Sequence, residues 1–170
     1  MTTYVALLRA VNVGGSGKLP MTELKAMCIA AGFERVRTYI ASGNVVLESV
    51  GSAAKVKSAL EERLLAYAGT SFGVVVRTGP EIAAVLKANP FARRSPTSAV
   101  AIFLDEAPPR DALKHAKGVT DETMRLGKRE IYVHYPSGQG RSKLRIPAAK
   151  SGTARNMNTV AKLAAMAAEA

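Results

Sequence analysis

The chain is expected to fold as an α+β protein made of two packed subdomains of ferredoxin-like (βαββαβ-type) character, with an extra C-terminal helix. Three observations lead there. Residues 4–77 read as strand, glycine loop, helix, strand, tight turn, strand, helix and strand, which is the split βαββαβ order. Residues 99–135 begin the same way, with a strand, a helix and two strands around a tight turn, a duplication of pattern without sequence identity. At 170 residues and 48% hydrophobic, the chain can bury a real core as two small units or as one compact one. The expected division is a first subdomain over 1–88, a linker over 89–98 and a second subdomain over 99–170.

Each element rests on local chemistry. The apolar run 4–9, ending in Arg9, suits a buried central strand. The following NVGGSGK is loop, and Pro20 opens a helix that Gly32 stops. Residues 35–41 alternate as a strand, Ser42-Gly43-Asn44 turns, and 45–48 return. Val56, Leu60, Leu64 and Tyr67 share the core face of a helix over 52–67, and 72–77 is a further strand. A short helix over 81–88 leads into the Pro- and Arg-containing linker. In the second half the strand 99–104 precedes a helix from Pro108 and Pro109 to Lys117, and the strands 123–126 and 130–135 flank Gly127-Lys128. The glycine-punctuated YPSGQGRSKL leads into a short helix, and a final helix is expected over 153–168.

Composition narrows the function classes. The single cysteine, Cys28, falls on an apolar helix stripe and reads as a buried structural thiol. No disulfide can form within the chain, no charged-then-apolar leader is visible, and no apolar run reaches about 18 residues, so a cytoplasmic protein without membrane contact is expected. The net charge is +11, and between Arg125 and Lys162 nine basic residues face Glu130 alone. Such a field attracts nucleic acid, phosphate-bearing ligands or anionic surfaces, although a solvated basic face has the same composition.

No constellation names a reaction. Asn12 to Lys18 resembles a phosphate-binding loop, but Asn12 replaces the first glycine of the Walker pattern and Leu19 replaces the hydroxyl residue that would hold magnesium. Nucleotide hydrolysis of that type is not expected, whereas a glycine loop at a helix start can still bind an anion through backbone amides without magnesium. Ser42-Gly43-Asn44, taken alone, is a hairpin turn. In the expected last helix Arg155, Asn158, Thr159 and Lys162 form a polar stripe opposite Met157, Val160, Ala161 and Ala164. Asn and Thr are poor helix formers, so a hydrogen-bond network or a ligand would have to hold them there. His115 and His134 lack the companions of a metal site, and no cofactor is implied. Aromatic residues total 5%, too few for base-stacking platforms.

LLRAVNVGG, LPMTEL, GFERVRTYIASGNVV, NPF, YPSGQGRSKL and GTARNMNTVAKL, in this order, resemble the bacterial domain of unknown function 1697 family. Ala10 stands where that family usually has glycine, and Met157 where it usually has tryptophan. The resemblance implies an α+β fold of two ferredoxin-like subdomains and no assigned activity. Its motif positions here are Arg9, Asn12, Gly14, Gly15, Ser42, Gly43, Asn44, Ser142, Lys143, Arg155, Asn156, Asn158, Thr159 and Lys162, nearly all polar or glycine, as in a site rather than a core. With Lys18 and Tyr135 they make the expected ligand-binding set, for an anionic, phosphate-bearing ligand between the first-strand loop and the final helix. A nucleotide, a nucleic acid or a phosphometabolite would suit. The alternatives are a metal-free transferase or hydrolase using Tyr135 or Lys143 as acid or base, and a structural protein whose polar motifs only knit the fold.

Overall fold

The computed structural model describes residues 1–9 and 18–169. Its elements run β1 (Thr2–Leu8), α1 (Met21–Ala30), β2 (Glu34–Tyr39), β3 (Asn44–Ser49), α2 (Ala53–Ala68), β4 (Val74–Thr78), α3 (Gly79–Lys87), β5 (Ala99–Phe103), β6 (Thr123–Leu126), β7 (Glu130–His134), β8 (Thr153–Asn156) and α4 (Met157–Ala168). They build two four-stranded antiparallel sheets of orders β2-β3-β1-β4 and β6-β7-β5-β8. These orders are the same order twice. Contacts divide the chain into one compact unit of Met1–Ile82 with Leu163–Ala170, and a second of Ala83–Lys162.

In the first unit, β1 pairs with β3 and β4 on its two sides, and period-2 alternation sends Tyr4, Ala6 and Leu8 to one face. That face meets Leu24 and Cys28 of α1 and Val56, Leu60 and Leu64 of α2 in a continuous apolar core. Ser52 caps α2 by accepting from the Lys55 amide, and Gly69, at φ 72°, closes it in the left-handed conformation. The other face of the sheet carries Val5, Leu7, Val46, Val75 and the fully buried Arg77, by the register that pairs Val5 with Val46 and Arg77. Thr78 and Glu81 then exchange hydrogen bonds across the start of α3, Thr78 N–H to Glu81 Oε1 at 2.8 Å and Glu81 N–H to Thr78 Oγ1 at 3.3 Å.

The second unit repeats the strands but not the helices. Val100, Ile102 and Leu104 of the β5 segment, with Ile131 and Val133 of β7, form the apolar face of its sheet. Where a helix was expected over 108–117 there is only a 3-10 turn, Ala112–His115. Two prolines supply no backbone donors, and beyond the turn Lys117 becomes extended to exchange both backbone hydrogen bonds with Arg145 at 2.8 Å. YPSGQGRSKL likewise gives 3-10 turns, Gln139–Arg141 and then Pro147–Ala149.

The last helix also differs from expectation. Thr153–Asn156 is strand β8, pairing with β5 in the register Val100↔Asn156 to Phe103↔Thr153, and α4 starts only at Met157. Asn156 Oδ1 accepts from the Thr159 amide at 3.0 Å and so caps α4. Asparagine and threonine are there because the chain is starting a helix, not continuing one.

Gly118 fixes the path of the motif loop. It sits at φ 70°, and a Cβ there would lie 2.2 Å from the Lys143 carbonyl oxygen. Gly69 has a similar φ with open space around it. Gly69→Ala should therefore cost only the left-handed strain, about 1 kcal/mol, whereas Gly118→Ala adds a backbone clash and should cost at least about 3 kcal/mol. Urea unfolding of both variants checks this, and equal losses would contradict it.

Candidate functional site

Two groups of the expected residues come together, one in each unit. At the end of β1, the Leu8 amide donates to Gly43 O and the Arg9 amide to Gly73 O, both at 2.8 Å, which fixes the departing chain between two glycines. Asn44 is fully buried, and its Nδ2 donates to Tyr39 O and to Ser42 Oγ, each at 2.9 Å. The turn is thus stapled shut by its own asparagine. Just before it, Ile40 adopts φ 49° while remaining 49% exposed, a strained conformation for a β-branched residue with no burial to compensate it. Arg9 at the end of β1 and Ser42 in the turn are exposed, as is Lys18 ahead of α1. Asn12, Gly14 and Gly15 lie outside the described residues.

In the second unit the motif loop is latched by carboxylates. Ser142 donates from Oγ to Glu122 Oε2, and the Thr120 amide donates to Glu122 Oε1 at 2.7 Å. Ser137 Oγ donates to Asp121 Oδ2, and the Leu144 amide donates back to Ser142 Oγ at 3.1 Å. The Ser142 hydroxyl first, and then the Thr120 amide, hold the Glu122 carboxyl at about 2, well below its ordinary 4.5. Tyr135, buried beside this latch, has its phenol pushed up by burial and then by the Glu122 charge. It can donate a proton but is poorly placed to act as a base near neutral pH. Lys143 is exposed.

The expected polar stripe of the last helix is split by its strand–helix boundary. Arg155 is 6% exposed on β8, donating from Nη1 to Thr153 Oγ1 at 2.6 Å and to Ala154 O at 2.9 Å. Burial lowers its guanidinium to about 10. Thr159 is buried, while Asn158 and Lys162 are exposed. The expected set therefore divides in two. Asn44, Ser142, Arg155 and Asn156 spend hydrogen bonds inside their own units, and Lys18, Lys143, Asn158 and Lys162 face outward.

Cys28 is fully buried and its thiol is pushed up to about 12 by desolvation, which removes thiolate chemistry. Among the described residues, no three His, Cys, Asp or Glu side chains group as metal ligands would, and no helix is long and apolar enough to cross a membrane. Sequence reasoning missed Glu122 and the buried Arg77, because neither a carboxylate just before a strand nor an arginine near the end of one carries a signal of burial.

A family model described as a protein of unknown function, DUF1697, matches residues 1–132. The chain belongs to the DUF1697 family. The turn 42–44 and the end of β1 fall inside that match, and the motifs over 135–162 lie beyond it. Among solved structures, a conserved bacterial protein from Streptococcus pneumoniae is similar over 98% of both chains, with 26% identity and a TM-score of 0.80. That likeness takes in β8 and α4, which lie beyond the residues the family model matches. No match emerged among curated proteins.

The Glu122 latch gives this member of DUF1697 a testable acid response. A carboxyl lowered in the folded state contributes stability that is present above its ordinary 4.5 and is lost as pH falls to about 2. Glu122→Gln should be less stable than the parent at pH 6, and the difference should shrink through that window and vanish near pH 2. Urea midpoints across the range measure it, and a constant difference would contradict the latch.

Proposed function

We propose that the protein binds an anionic, phosphate-bearing ligand through the glycine segment after β1 and the exposed side chains of Arg9 and Lys18 that flank it in the chain. The observation that carries this reading is the end of β1. There a buried Asn44 and a strained, exposed Ile40 hold Ser42 and Gly43 against the strand from which Arg9 leaves. Strain of this kind is retained where the surroundings over-determine it, most often at ligand sites. The segment that follows, NVGGSGK, has the glycines and lysine that suit backbone-amide capture of a phosphate. Arg9 and Lys18 would supply countercharge. A cytoplasmic setting belongs to the same proposal, on the strength of the single buried cysteine.

One observation favours a second reading, that of a structural protein. Asn44, Ser142, Arg155 and Asn156 all have partners within their own units. Under that reading the polar motifs hold loops and cap a helix, and bind nothing.

Titration with inorganic phosphate, a nucleoside triphosphate and a mixed single-stranded oligonucleotide at several salt concentrations distinguishes these readings. A compact phosphate ligand should raise the melting temperature saturably, and Lys18→Ala or Arg9→Ala should weaken its binding about tenfold or more. Nucleic acid would instead give an affinity falling linearly on a log–log salt plot, with each variant removing about 0.7 from the slope. No shift with any anion and no salt-dependent retention would leave the structural reading standing.

A further inference from the structure

The second unit repeats the sheet of the first without the helices that cover it. In the first unit, the apolar face lies under α1 and α2, of 10 and 16 residues. The corresponding face of the second sheet is covered by the 3-10 turns Ala112–His115 and Pro147–Ala149, of four and three residues, and by the segment carrying Leu144 and Ile146. Short turns leave gaps that two helices would fill. One gap is a cleft of about 530 Å³, large enough for a small ligand, whose aliphatic walls come from Ile102, Leu144, Ile146 and Ala149.

Its charged lining has one sign. Lys117, Arg145 and Lys150 line the cleft, no Asp or Glu is among its lining residues, and Tyr135 closes one wall. The backbone bridge between Lys117 and Arg145 sets those two cations side by side on adjacent extended segments. Aliphatic walls with a cationic rim complement a molecule that is apolar at one end and anionic at the other. A neutral apolar ligand would leave the rim unanswered, and a bare inorganic anion would leave the walls unanswered.

We infer that this cleft binds a small amphiphilic anion, a phosphate or carboxylate on an aliphatic skeleton, with the head group on Lys117, Arg145 and Lys150. The site is independent of the glycine-segment reading and shares with its residue set only Tyr135. Nothing covalent is involved.

The test uses the full chain and four probes: octyl phosphate and octanoate below their micelle-forming concentrations, inorganic phosphate, and octanol. Octyl phosphate or octanoate should bind saturably, perturbing the amide resonances of Leu144, Ile146 and Ala149, and the tighter of the two identifies the head group. At the cleft, read from those same amide resonances, inorganic phosphate and octanol should each bind about tenfold more weakly or not at all. Lys117→Ala/Arg145→Ala, two exposed positions, should weaken the amphiphile about tenfold while Lys18→Ala leaves it unchanged. Ala149→Leu, which fills the cleft, should block it. Absence of saturable binding by both amphiphiles, equal binding of octanol, or indifference to Lys117→Ala/Arg145→Ala would overturn the assignment. Loss of phosphate binding in Lys18→Ala alone would bear only on the glycine segment.

Discussion

Antiparallel pairing around a central strand is the constraint from which the rest of this structure follows. β1 lies between β3 and β4, and β5 lies between β7 and β8, so each sheet presents alternate residues of its central strand to two faces, and both faces must be dealt with. On one face the solution is apolar in both units. On the other, each sheet buries an arginine on its last strand, Arg77 opposite Val5 and Arg155 opposite Ala101. Arginine is rarely buried this deeply without partners, and Arg155 has Thr153 Oγ1 and the Ala154 carbonyl.

The duplication extends to the residue after each arginine. Thr78 and Asn156 each end a fourth strand and each accept the hydrogen bond that caps the following helix, from Glu81 and Thr159 respectively. Strand, buried arginine, capping residue and helix therefore recur as one device. The units part company over the remaining helices. Two prolines and the Lys117–Arg145 bridge replace the first, and the glycine-rich motif loop replaces the second, latched by Asp121 and Glu122 instead of by helical packing.

The first unit was legible because its signals are local. Alternation in 35–48, Pro20 and Gly32 at the ends of α1, and the apolar stripe of α2 each specify their element without reference to distant chain. The second unit was less legible for the opposite reason. β8 is defined by pairing with β5, some fifty residues earlier, and its inward positions are Thr153 and Arg155, which invert the usual apolar-in pattern. Local periodicity took this strand for the start of α4. At the candidate site, the sequence located the polar positions but not their division of labour, since a motif asparagine that closes a turn and one that meets a ligand look alike until their hydrogen bonds are seen.

That division is the central claim, and a urea-unfolding alanine scan of the motif residues tests it most directly. Replacing Asn44, Ser142 or Asn156 removes an internal hydrogen bond and should lower stability by about 1 kcal/mol or more in each case. Replacing Lys18, Lys143, Asn158 or Lys162 should leave it within about 0.5 kcal/mol of the parent. Two separated groups of stabilities are the predicted result, and a continuous spread, or losses among the lysines equal to those at Asn44 and Asn156, would contradict the account.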